Sequence, residues 1–250
     1  MAKPTGFGGR DYPDFGVSAL NASSMIITDL SELAVRQGSI NRFDRTGTVL
    51  FQEAFDYGRG NWFENSYPAG AFATLNGEYF STRPYSLRLQ STTDVGSYCG
   101  VSCCLPFPFM APMGIEVHFK GYTQFKQLIM QFILHDGTSQ HRIDCAINGD
   151  DDNIKVYKWP GGYTSVSEDD LYFGVGSPFH VLKIVADPLT GYYHRLMIDE
   201  MDYSIPTFAI RKTSPSSRPQ LYGLIMLIPT SGDVETVFID NIIITINEPI

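Results

Sequence analysis

The fold is indicated most clearly by residues 179–199, which read FHVLKIVADPLTGYYHRLMID. Two runs rich in β-branched and aromatic residues flank the segment 187–191, whose Asp, Pro, Thr and Gly are typical of a turn. The segment therefore predicts a β-hairpin with strands over 179–186 and 192–199.

Short strand-like runs separated by turn signals continue on both sides of this hairpin. They are residues 48–55, 85–90, 114–121, 127–135, 140–147, 153–159, 207–211, 221–228 and 234–246. Within 115–120, apolar and polar residues alternate as in a half-buried strand. About ten strands with no helix between them predict an all-β fold, an antiparallel β-sandwich over residues 48–250.

The first 47 residues are predicted to precede the sandwich as an N-terminal arm, one short helix and a hairpin. The start is rich in Gly and Pro and has no sustained period. Asp29 is a candidate helix N-cap with Glu32 three positions on, and Gly38 is a candidate stop. Residues 40–44 and 48–55 are predicted to pair through a turn at 45–47.

Two parts of the chain resemble known families, and the first resemblance implies that the β-sandwich is of jelly-roll type. The hairpin at 179–199, the early run 48–56 and the closing run 237–245 resemble strands of concanavalin A-like (laminin G-like) jelly rolls. Residues 12–18, 29–39 and 43–47 look like the arm and helix that precede a jelly roll in structural proteins of tailed phages.

The phage resemblance implies a virion component, most readily a capsid decoration (cement) protein assembled in the host cytoplasm. Its implied partners are the major capsid protein or other virion subunits, and further copies of itself. An arm without a core of its own can become ordered by lying on adjacent subunits. The residues expected at such contacts are Tyr12 and Phe15 of the arm and Phe107, Phe109 and Met110 of the proline-rich loop 105–113.

Composition argues against several partners. The chain has 18 Lys and Arg against 27 Asp and Glu, a formal charge of −9, and its basic residues are scattered, so we expect no nucleic-acid binding. No run reaches the roughly 18 apolar residues of a membrane helix, and we expect no membrane partner. The start lacks the apolar core of a signal peptide, which predicts folding in a cytoplasm.

The alternative function is a carbohydrate-binding module or a tail-associated adhesin that binds host glycans. Sugar recognition needs exposed aromatic rings flanked by hydrogen-bonding groups. Trp159 and Tyr163 flank a tight loop, and Tyr157 shares a strand face with Trp159. Trp62, in a Gly-rich stretch, is the second candidate.

Catalytic patterns are weak, and the expectation is a protein that is not an enzyme and has no catalytic residues. A glycosidase on this fold needs two carboxylates on one strand face. Glu116 is followed on its face by His118 and Lys120 instead. Residues 100–104 lack the second Gly of a nucleophile elbow.

A structural calcium ion is the one cofactor that the sequence suggests. Jelly rolls that resemble carbohydrate-binding modules often connect their first and last strands through such an ion, which takes oxygen ligands. Glu53 in the early run and Asp240 in the closing run occupy the matching positions.

Overall fold

The computed structural model describes residues 47–81, 85–94, 96–106, 108–166, 171–199, 201–214, 218–229 and 232–250. The predicted arm, the helix and the first strand of the predicted hairpin fall in 1–46 and lie outside the described residues. All regular secondary structure in the described part is β-strand, which confirms the all-β prediction. No helix in that part has the length and apolar character needed to cross a membrane.

Sixteen strands make up the described fold. They are β1 (Thr48–Glu53), β2 (Phe63–Glu64), β3 (Phe72–Asn76), β4 (Ser86–Gln90), β5 (Cys99–Pro106), β6 (Met113–Gly121), β7 (Gln127–His135), β8 (Gln140–Asn148), β9 (Asn153–Lys158), β10 (Gly162–Ser165), β11 (His180–Asp187), β12 (Tyr192–Ile198), β13 (Met201–Ser204), β14 (Arg211–Thr213), β15 (Gln220–Ile228) and β16 (Thr236–Ile246).

The strands form two antiparallel sheets of eight, which confirms the predicted sandwich. Sheet A has the order β13-β12-β11-β6-β16-β4-β3, and β1 pairs with β16 beside β4. Sheet B has the order β10-β9-β8-β7-β15-β5-β2, and β14 pairs with β8 beside β9. The predicted hairpin at 179–199 is the pair β11–β12 of sheet A.

One hydrophobic core lies between the sheets. In β15 the burial alternates strictly, so Leu221, Ile225 and Leu227 enter the core while the residues between them face outward. In β16, by contrast, all eleven residues are buried. The alternation in β15 shows that sheet B has a partly exposed outer face, meaning the face that points away from the core.

Some strand predictions need correction. Leu105 and Pro106, assigned to the proline-rich loop, end β5 inside sheet B. The strand predicted at 207–211 is displaced to β14, because residues 205–208 form a turn in which Phe208 N–H donates to the Ile205 carbonyl (3.1 Å). Five strands were not predicted. β2, β3, β10 and β13 have two to five residues, which carry too little periodicity. The eight-residue β5 reads CGVSCCLP and has few of the β-branched and aromatic residues that indicate a strand.

Candidate functional site

A row of side chains crosses the outer face of sheet B. It follows from the strand register, since directly opposed residues share a face. The row runs Asp144, Gln131, Leu224, Ser102 and Phe63 across β8, β7, β15, β5 and β2. The opposed pair Tyr157 and Tyr163 of β9 and β10 extends it just beyond the last paired residue of β8. Its aromatic end lies at the edge formed by β8, β9 and β10.

Three aromatic rings and two guanidinium groups meet at that end. Tyr157 and Tyr163 pack edge to face with their ring centroids 5.5 Å apart. The Arg142 guanidinium lies 5.6 Å from the centroid of the Tyr157 ring, and Arg211 lies 5.4 Å from that of Trp159. Together with Asp144 these residues are called the aromatic–arginine cluster: Arg142, Asp144, Tyr157, Trp159, Tyr163 and Arg211.

Asp144 is the buried anion of the cluster. Its side chain is fully buried, and one carboxylate oxygen accepts a hydrogen bond from Arg142 Nε. Burial raises the pKa of the Asp144 carboxyl to about 6, although the charges of Arg142 and Arg211 and a hydrogen bond from Gln131 act in the opposite direction. Burial also raises the pKa of Tyr163, and the Asp144 charge adds to this effect.

The local strand arrangement explains why Asp144 lies at this point. On one edge of β8, β9 pairs with residues 145–148 and β14 pairs with residues 140–142. Asp144 falls between the two pairing segments, and its backbone N–H donates to the Tyr193 hydroxyl at 3.0 Å. Tyr193 reaches this group from sheet A and is itself fully buried.

The predicted glycan-binding aromatics separate into two groups. Trp159 is 41% exposed, and Tyr157 and Tyr163 are half-buried beside it, so the structure brings these three together. Trp62 is 3% exposed and belongs to the core. The prediction that Trp62 binds a glycan is therefore wrong, because a ring packed between the sheets cannot stack on a sugar.

Sequence reasoning missed Arg142, Asp144 and Arg211. Arg142 and Asp144 alternate with the buried Ile143 and Cys145, so the period-two pattern of β8 places both on the outer face. The neighbourhood of Arg211 has no such signal. It depends on the pairing of β14 with β8, which joins residues 69 positions apart (211 against 142).

The two predicted calcium ligands make separate contacts. Glu53 accepts a hydrogen bond from the Phe55 N–H at 3.0 Å, and burial raises the pKa of its carboxyl. Asp240 is fully buried and accepts a hydrogen bond from the Ser81 N–H. Among the described residues, no group of three or more His, Cys, Asp or Glu side chains is arranged to hold a metal ion. Calcium binding stays a prediction.

The structure describes two of the five residues that were predicted at assembly contacts. Phe109 is 51% exposed, and Met110 packs against the core. Tyr12, Phe15 and Phe107 lie outside the described residues. A role of these side chains in subunit contacts stays a prediction.

Comparisons with known proteins identify the fold but no family. No protein-family model matches the chain, and no curated protein sequence does. A sialidase structure matches 81% of the chain with a TM-score of 0.52 and 12% identity, and the chain spans only 19% of that protein. A carbohydrate esterase from the Shiga toxin-encoding bacteriophage phi24B also matches 81% of the chain, and the match covers the whole length of the esterase structure. The TM-score is 0.52 and the sequence identity is 16%.

An endo-β-1,4-glucuronan lyase from the fungus Trichoderma reesei matches 80% of the chain, and the match covers 96% of the lyase structure. The TM-score is 0.50 and the sequence identity is 12%. These three likenesses establish a jelly-roll β-sandwich shared with carbohydrate-active proteins. They contradict the expectation that the protein is not an enzyme, because all three names describe enzymes. The absence of a familiar catalytic motif was therefore no ground for that expectation.

Proposed function

We propose that this protein binds a glycan on the outer face of sheet B, at the aromatic–arginine cluster. The observation that carries the proposal is the position of Trp159, whose half-exposed ring lies against Arg211 and next to the Tyr157–Tyr163 pair. A sugar offers C–H faces that pack on aromatic rings and hydroxyl groups that accept hydrogen bonds from guanidinium groups. The likeness to carbohydrate-active proteins supports the proposal.

The residues of the cluster contribute to binding in different ways. Trp159 provides the stacking surface, while Arg142 and Arg211 provide donors in a fixed planar geometry. Asp144 is covered by its neighbours and does not reach a ligand directly. Through its hydrogen bond to Arg142 Nε it holds that guanidinium in place, which makes it a positioning residue.

A glycan array followed by titration tests the proposal. Saturable binding of at least one glycan is expected, with an affinity about tenfold lower in Trp159→Ala, since a stacked aromatic contributes about 1.5 kcal/mol. Tyr57→Ala is the matched control, because Tyr57 is a fully exposed aromatic residue in the loop after β1. Absence of saturable binding, or an equal loss in both variants, would overturn the proposal. Chromatography of the recovered glycan shows in the same experiment whether it was cleaved.

We also propose, from the resemblance of residues 12–47 alone, that the protein is a phage virion component. Glycan binding would suit a position in the tail, where the virion contacts its host. Co-sedimentation of the full-length protein with virus particles, compared with a chain lacking residues 1–47, tests this part. The glycan-binding proposal does not depend on its result.

A further inference from the structure

The two arginines of the cluster form a cationic pair with one anion between them. Arg211 of β14 and Arg142 of β8 are directly opposed in the strand register. Like charges at directly opposed positions repel each other. Asp144 supplies one negative charge, so two guanidinium groups and one ionised carboxylate leave a local charge of +1.

Arg211 is an arginine of the cluster with a hydrogen-bond donor that has no partner among the described residues. Its Nε is buried and has no hydrogen-bond partner among the described residues, and its guanidinium carbon lies 5.4 Å from the centroid of the Trp159 ring. A buried donor without a partner is unfavourable. Because that Nε is covered, a ligand carboxylate would interact with Arg211 through the charge of its guanidinium group rather than by a direct hydrogen bond to Nε.

The neighbouring lysines do not add to the charge of the cluster. Lys158 and Lys212 are exposed, but they alternate with Tyr157 and Arg211 along β9 and β14 and therefore point away from it. The whole chain carries −9, but at physiological salt charges are screened beyond about 8 Å. An anion at the cluster therefore experiences mainly the charges of Arg142, Arg211 and Asp144.

Resting on the glycan-binding function proposed above, we propose that the site takes acidic glycans and holds a uronic-acid carboxylate between Arg142 and Arg211. A carboxylate matches the planar fork of a guanidinium group in a bidentate manner. A uronic-acid residue combines that carboxylate with a ring face that stacks on Trp159. A neutral sugar provides the ring face and hydroxyl acceptors but leaves the arginine pair without a counter-ion.

The test compares two ligands that differ only at C6, which is a carboxylate in one and a hydroxymethyl group in the other. A β-1,4-linked glucuronic-acid oligosaccharide and a β-1,4-linked glucose oligosaccharide of the same length are titrated into the full-length protein and followed by calorimetry. The acidic ligand is expected to bind at least about tenfold more tightly, the contribution of a charge-assisted hydrogen bond. Its affinity is expected to fall as salt rises, whereas that of the neutral ligand stays constant.

Variants locate the charge selectivity. Arg211→Gln is expected to lower the affinity for the acidic ligand to that for the neutral ligand. Arg211→Lys is expected to retain part of the difference in affinity because the positive charge remains. Arg59→Gln is the control, since Arg59 pairs with Glu64 at 3.2 Å on the opposite edge of sheet B. Urea unfolding of each variant verifies that it is folded.

The outcomes separate the two proposals. Equal affinities for both oligosaccharides would overturn acidic selectivity and leave glycan binding intact. An acidic preference that survives in Arg211→Gln would overturn the assignment to the arginine pair. If neither oligosaccharide and no glycan on the array binds, the proposed glycan-binding function itself is overturned.

Discussion

Replacing Asp144 with Asn is expected to remove a pH dependence of folding that the buried carboxylate creates. In the folded protein burial raises the pKa of Asp144 to about 6, against an ordinary value of 3.8. The folded state therefore binds this proton more tightly than the unfolded state does. The resulting stabilisation is fully present below pH 3.8 and is lost as the pH rises through about 6.

The magnitude follows from the difference between the two pKa values. About two units correspond to roughly 3 kcal/mol, at 1.36 kcal/mol per unit. Between pH 7 and pH 4 the carboxyl passes from almost fully ionised to almost fully protonated in the folded state. Over this range the wild-type protein should gain about 2 kcal/mol of unfolding free energy that Asp144→Asn does not gain.

Urea unfolding of both proteins at pH 7, 6, 5 and 4 measures this difference. Other titrating groups cancel in the comparison because both chains contain them. Asp151→Asn is the control, since it removes a carboxylate whose side chain is 60% exposed. A difference between wild type and Asp144→Asn that stays constant within about 0.5 kcal/mol across this pH range would refute the raised pKa.

Three further predictions concern the frame around the site. Of the four cysteines, only the exposed Cys104 should react with a thiol reagent in the folded protein, and the other three only after unfolding, because burial raises their thiol pKa values; four equally fast thiols would contradict this. Gly121→Ala should destabilise by about 2 kcal/mol or more in urea unfolding, since its Cβ would lie 1.9 Å from the Phe173 carbonyl oxygen, and an unchanged midpoint would be inconsistent with that close approach. If Glu53 and Asp240 bind calcium, the ion should raise the Tm of the wild type and not of Glu53→Gln; an equal Tm with calcium and with a chelator would exclude the site.

The sequence by itself determined the strands that carry regular alternation. Residues 127–135 were predicted with the same bounds that β7 has, and the predictions for β6 and β15 differ by one residue at a single end. These signals are local, since side chains two positions apart share a face and turn residues mark the ends. They were sufficient to predict the antiparallel sandwich, because strands without intervening helices can bury their apolar faces only against another sheet.

For the site, the local pattern predicted the aromatic residues but not their partners. Tyr157 and Trp159 could be placed on one face by their spacing, and Tyr163 by the tight loop between the strands. Trp62 has the same residue type and also lies near a Gly-rich loop, yet it is buried in the core. Burial is a property of packing between sheets, and no signal within a few residues of Trp62 distinguishes it from Trp159.

Only the tertiary structure decided that Arg142, Asp144 and Arg211 meet beside Trp159. Their proximity depends on the register between β8 and β14, which are separated by more than sixty residues of chain. The raised pKa of Asp144 has the same origin, because it depends on burial beneath residues from neighbouring strands. Register and burial are set by the sum of contacts across the whole sandwich, so they cannot be inferred from the sequence near any one of these residues.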